Sequence, residues 1–257
     1  MGGLGDMAWP LREREEFLMS NSAHGLVRLL VVASLGLFVV ACTQTKTFLS
    51  ETEFPQRTGA LRVLLMPSDV EVSELTAAGL PEPNAAWTAT AKTNVESALD
   101  AIMEARNAQL IRYRSAAGDS TIEEAHLQAF KLHEAIGNTI LLHKYIPNLA
   151  LPTKKDKFDW SMGKAATVLR QSFDADYALF VYFRDSFSSS GRVAVIFIGA
   201  LLGVGIPGGR QIGFASLVDL QSGEIVWFNR LFKETGDLRK PDSAQDATES
   251  LLTKLPL

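Results

Sequence analysis

The chain has 257 residues, 47% of them hydrophobic and 21% charged, with 25 Lys+Arg against 29 Asp+Glu. That apolar content is too high for a disordered chain, and a net charge of −4 offers no basic surface to a phosphate backbone, which argues against nucleic-acid binding. A single cysteine excludes a disulfide framework and any multi-cysteine zinc site.

The first informative stretch is residues 29–41, LLVVASLGLFVVA, thirteen uncharged residues with Arg28 in front. A bilayer-spanning helix needs about 20 apolar residues, so this segment suits the hydrophobic region of a signal peptide rather than an anchor. It ends in Val39-Val40-Ala41-Cys42, which resembles a bacterial lipobox: branched aliphatics, a small residue, then cysteine. The resemblance implies transfer of a diacylglyceryl group to the Cys42 sulfur, cleavage between Ala41 and Cys42, and acylation of the new amino terminus. Residues 1–18 carry Arg12, Glu13, Arg14, Glu15 and Glu16, an acidic balance foreign to a positive signal-peptide start, so translation from Met19 is expected. Thr43 stands where inner-membrane retention signals usually have Asp. By resemblance to lipoprotein sorting, this favours the outer membrane.

Residues 43–58 (TQTKTFLSETEFPQRT) are polar without a sustained period and read as a tether behind the lipidated Cys42. Sixteen residues reach at most about 55 Å, which keeps the folded part near the membrane.

The folded part is expected to begin near residue 59. Residues 61–67 (LRVLLMP) read as a buried strand stopped by proline. Trp87, Ala91, Val95, Ala98, Leu99, Ile102 and Met103 recur at helical spacing over residues 84–107. A short strand follows at 109–113 (QLIRY). Ser120 and Glu123 have the spacing of a capping box, opening a helix through Ile122, Leu127, Phe130, Ile136 and Ile140. Asp159 is placed to cap a shorter helix through Met162, Ala166, Leu169 and Phe173. Residues 177–183 (YALFVYF) carry the strongest strand signal. Residues 211–220 and 224–232 flank Gln221-Ser222-Gly223, a hairpin turn with glycine supplying the positive φ. A last helix is expected over 243–254, after Pro241. The prediction is one α/β domain over residues 59–257. It has a mixed β-sheet covered by helices in the order β-α-β-α-α-β, an apolar segment, then β-β-α.

The catalytic motifs are weak. Gly203-Val-Gly205-Ile-Pro-Gly208 matches GxGxxG but leads into a strand pattern, where a dinucleotide site needs a helix. Glu123 and His126 have E-x-x-H spacing without the second copy a di-iron site requires, so His126 reads as a solvated or half-buried helix residue. His133 and His143 have no convincing ligand partner, and no G-x-S-x-G is present. Neither catalysis, metal nor cofactor is expected.

Residues 193–206 (VAVIFIGALLGVGI) are fourteen uncharged residues of another kind. A run this long fits a buried core element or a partner-covered surface; insertion into a membrane as part of an oligomer, or a loop, are the alternatives. Val193, Ile196, Phe197, Leu201 and Leu202 are the residues expected to make a membrane or subunit contact if it is not core.

The lipobox, the β-α-β-α opening, the strand from Asp176 to Phe183 and the hairpin string LVDLQSGEIVW (217–227) together resemble small bacterial envelope lipoproteins, including a group known from Neisseria and other proteobacteria. More distantly they resemble the superfamily of the curli secretion channel lipoprotein, the lipoprotein activators of penicillin-binding proteins and the TolB amino-terminal domain. The resemblance implies this fold and work by protein contact rather than catalysis. The expected role is a non-enzymatic, lipid-anchored protein on the periplasmic face of the outer membrane, an accessory or assembly factor for an envelope complex. The alternative is a subunit of an oligomeric outer-membrane secretion or export channel. Its partners would be the membrane through the lipid, other envelope proteins and copies of itself.

Overall fold

The computed structural model describes residues 43–50, 61–106, 109–116, 118–154 and 157–257. The signal-peptide region, the cleavage position Ala41, the lipidation position Cys42 and residues 51–60 lie outside them.

Eight strands form one mixed sheet. They are β1 (Thr43–Leu49), β2 (Arg62–Leu65), β3 (Asp69–Leu75), β4 (Pro81–Pro83), β5 (Gln109–Arg112), β6 (Tyr177–Ser188), β7 (Gln211–Asp219) and β8 (Ile225–Lys233). The path runs β1-β8-β7-β6-β2-β5, with β3 on β6 and β4 hairpinned onto β3. β2 and β3 are successive halves of one edge along β6, parallel to its residues 177–179 and 182–188. Between them lies Pro67, which has no N–H to donate to a ladder. The helices are α1 (Ala85–Ala105), α2 (Ser120–Tyr145), α3 (Thr167–Phe173), α4 (Ser190–Leu201) and α5 (Pro241–Leu251).

The apolar run of β6 is buried on both faces, as a central strand between helix layers requires. Tyr177, Leu179, Val181 and Phe183 join the core under α1 and α5, while Ala178 and Phe180 join the core under α2 and α3. The α/β class and the expected order of elements are therefore observed, with β1, β3 and β4 added.

Several local expectations are corrected. The cap of α2 is Asp119, whose carboxylate accepts from Thr121 N at 3.0 Å and Ile122 N at 3.1 Å; Glu123 accepts instead from Ser115 Oγ at 2.6 Å. The buried stripe of α2 is His126, Ala129, His133, Gly137 and Ile140, so both histidines face the core while Ile122 and Leu127 are exposed. Asp159 pairs with Lys154 at 3.0 Å, and the chain enters α3 through a 3-10 turn at Gly163–Ala166. In β8 a bulge opposite Leu217 and Val218 puts Val226 and Trp227 on one face, and Ile225 with Phe228 on the other, in place of strict alternation.

The largest correction concerns the tether. Residues 43–49 form an edge strand, with Thr43 opposite Lys233 and Leu49 opposite Trp227. Phe48 explains why: it stacks on Phe158 at 5.6 Å and meets the Tyr145 ring edge-on at 5.3 Å. Tyr145 Oη donates to the Lys46 carbonyl at 2.6 Å, and Thr47 Oγ1 donates to Asn229 Oδ1 at 3.2 Å. The polar run that reads as tether is an edge strand facing water along most of its length.

One row of paired residues crosses this sheet from its edge: Thr43, Lys233, Gln211, Asp185 and Val72. At the opposite end of the hairpin, Asp219 Oδ1 accepts from Gln221 N and Ser222 N, and Gly223 takes φ +79° as the turn demands.

Gly137 tests the α2 interface, because a Cβ there would collide with the Phe214 ring. Gly137→Ala should lower stability by about 1–3 kcal/mol, although alanine alone favours a helix, and urea midpoints will show it.

Candidate functional site

The 193–206 segment is not core. At the end of β6 the chain leaves the sheet: Ser189 N donates to the Leu75 carbonyl at 3.0 Å and Ser189 Oγ accepts from Arg192 N at 3.2 Å, capping α4. At the far end Leu202 N donates to the Ile198 and Gly199 carbonyls, Val204 N returns to the Gly199 carbonyl at 2.8 Å, and Gly203 sits at φ +72°. The glycines that match GxGxxG thus begin as a helix stop rather than a phosphate cradle.

Among the described residues, the side-chain hydrogen bonds that fasten α4 to the rest of the domain are at its base. Arg192 donates through Nη2 to the Pro207 carbonyl at 2.8 Å and through Nη1 to the Ala77 carbonyl at 3.4 Å. Gly199 is the one buried residue of the helix, beside Ile206, where a Cβ would collide with that side chain. Ile196 turns inward toward Gly208. The return strand is held where Gly209 N donates to Ser188 Oγ at 3.2 Å and Arg210 N to Ser186 Oγ at 3.0 Å.

The outer face has no cover among the described residues. Val193, Phe197 and Leu201 stand at i, i+4 and i+8, with Ala194, Ile198 and Leu202 beside them. Phe197 is 64% exposed, Leu201 71% and Leu202 74%. Four of the five expected contact residues, Val193, Phe197, Leu201 and Leu202, therefore lie on this face, and Ile196 does not. Ile198 and Val204, both exposed, belong to the same patch. Their helical spacing was visible in the sequence, but a uniformly apolar run gives no sign of which side faces out.

A concavity of about 420 Å³ opens beside α2, lined by Met66, Pro67, Tyr113, Ser115, Glu123, His126, Leu127 and Phe130. His126 Nε2 meets Ser172 Oγ at 2.9 Å and Nδ1 meets Tyr113 Oη at 3.4 Å. Burial lowers the His126 pKa, and the Glu123 charge opposes that shift. Both ring nitrogens face hydroxyls, so Glu123 shares the cleft without orienting the imidazole. His133 is fully enclosed, stacked on Phe180 at 3.9 Å and hydrogen-bonded to Ser216 Oγ; burial pushes its pKa down to about 3. His143 Nδ1 lies 2.6 Å from the Leu149 carbonyl. Among the described residues no three His, Cys, Asp or Glu side chains gather as metal ligands, and no helix is long and apolar enough to cross a membrane.

No family model matches the chain, and no curated protein matches it in sequence. Among the solved structures similar in part are the PelC dodecamer from Paraburkholderia phytofirmans, at 10% identity, and a single-substitution variant of that dodecamer, at 12%. Each comparison covers 82% of this chain and 96% of the other, with a TM-score of 0.38. Likeness at this level does not amount to a shared fold.

Two buried groups titrate in opposite senses. His133 has its folded-state pKa below the ordinary histidine value of 6.5, so protons taken up below that pH go to the unfolded chain. Its contribution is whole above pH 6.5 and is lost as pH falls toward about 3, by up to about 1.4 kcal/mol per unit. Asp185 is raised from 3.8 to about 6 by burial, against the opposing hydrogen bonds from Leu238 N and Gln211 Nε2. Its folded form holds the proton more tightly, so stability is lost as pH rises from about 4 through about 6. Denaturation curves from pH 4 to 7 should show Asp185→Asn removing the second loss and His133→Met removing the first.

Proposed function

We propose that this chain is a non-enzymatic lipoprotein of the bacterial outer membrane. Lipid on Cys42 holds it on the periplasmic face, where it acts as an accessory or assembly factor for a cell-envelope complex. The observation that carries this reading is the uncovered apolar face of α4. A folded domain that leaves Phe197, Leu201 and Leu202 in water is built to make a contact there. The Val39-Val40-Ala41-Cys42 string supplies the address, and Thr43 in place of an acidic retention residue directs it outward.

A second reading is a subunit of an oligomeric outer-membrane secretion or export channel. The outer edge of β1, which no strand among the described residues pairs with, favours it, since an edge strand can add a strand from a neighbouring copy. The mass of the lipidated particle in mild detergent separates the two, because a discrete ring would make the channel the leading reading.

Cells fed radiolabelled palmitate should label the wild-type chain, and Cys42→Ser should abolish the label. Equal labelling of both would remove the lipid-anchor reading.

A further inference from the structure

We propose that α4 is a second membrane contact, an interfacial helix that lies in the headgroup region of the same bilayer that holds the lipid on Cys42. The inference rests on the lipid-anchor reading above and adds the surface on which the domain stands.

Geometry leads there. Cys42 is the residue before Thr43, so their Cα atoms are about 3.8 Å apart. Thr43 is already paired in the sheet, opposite Lys233. The lipid attachment is therefore one residue from the sheet, which brings the end of the sheet at Thr43 close to the membrane surface. The row through Thr43 continues to Lys233, Gln211 and Asp185. Three strand spacings of about 4.8 Å place Asp185 about 14 Å along that edge. Three residues past Asp185, β6 ends at Ser188, and α4 begins at Ser190. Residues 206–210 come back along the same edge, sharing a concavity with Phe232 and Glu234 at the end of β8. The anchor and the uncovered helix thus emerge from one end of one sheet.

Chemistry agrees. From Val193 to Gly209 no residue is charged, and Arg192 spends its guanidinium on the Ala77 and Pro207 carbonyls. Twelve helical residues extend about 18 Å, against a hydrocarbon core of about 30 Å. α4 is too short to cross and apolar enough to embed one face, which is the geometry of an interfacial helix. Fastening at Arg192 and the inward turn of Ile196 leave Val193, Phe197, Leu201 and Leu202 directed away from the domain.

The test uses the lipidated full chain with one added thiol. Leu201→Cys, Phe197→Cys and, as a control, Ser222→Cys are labelled with a polarity-sensitive thiol fluorophore. Each is reconstituted into phosphatidylethanolamine–phosphatidylglycerol vesicles with or without brominated acyl chains. Ser222 lies in the turn at the other end of the hairpin, about 27 Å from the Gln211 row. Brominated lipid should quench the labels at positions 197 and 201 about twofold or more and leave position 222 unchanged. Labels at 197 and 201 that behave like the control would overturn the inference. So would labels shielded from aqueous iodide but indifferent to brominated lipid, which would assign the face to a second copy of the chain. The unsubstituted chain separates this failure from that of the anchor. Its only cysteine is Cys42, so uptake of fluorophore by the wild type would refute the lipid attachment itself, and the inference with it.

Discussion

β6 is the member on which everything else is hung. Its first residues pair with β2, its later ones with β3, and residues 177–185 pair with β7 on the other side. Over residues 177–183 the strand has partners on both edges and helices over both faces, and its core-facing positions are accordingly aromatic or aliphatic. Because β6 fixes the register of β7, and β7 that of β8, it also fixes where β1 docks three strands away. The position of the chain's amino-terminal edge and the origin of α4 at the end of β6 are consequences of one ladder.

That ladder gives the molecule a polarity along the strands. One end carries Thr43, the close of β8, the close of β6 and the apolar helix; the other carries the tight β7–β8 turn, where Gly223 lies so close to the Gly163 backbone that a Cβ would collide with it. The chemistry of the two ends differs accordingly. The turn end is closed by Asp219 holding two backbone amides, while the other end exposes the apolar side chains of α4, whose base is held by Arg192.

The histidines of α2 show how a residue type misleads when read alone. His126 was expected to be solvated or half-buried, yet it and His133 continue the stripe through Ala129, Gly137 and Ile140. A hydroxyl meets a ring nitrogen in each case, from Ser172 on the neighbouring helix α3 or from Ser216 on the sheet beneath. A buried polar ring costs little when its hydrogen bond is made, and nothing near His133 in sequence announces that Ser216 will make it. The Ser120–Glu123 capping box failed for a related reason: Asp119 is one residue earlier and can reach the same backbone donors.

What the sequence by itself determined was whatever depends on periodicity and composition. That covers the α/β class, the order of the main helices and strands, the hairpin about Gly223 and the lipobox-like string ending at Cys42. These are local properties, carried by neighbours along the chain. What only the tertiary structure decided was the pairing and exposure of segments whose own pattern is ambiguous. Residues 43–49 become a strand because β8 offers an edge and Phe48 finds Phe158 and Tyr145. Residues 193–201 are apolar enough for any core, yet they stand in water because the sheet ends beneath them and Arg192 ties only their base. Whether an apolar helix is covered is a property of what lies across from it, and no local pattern contains that.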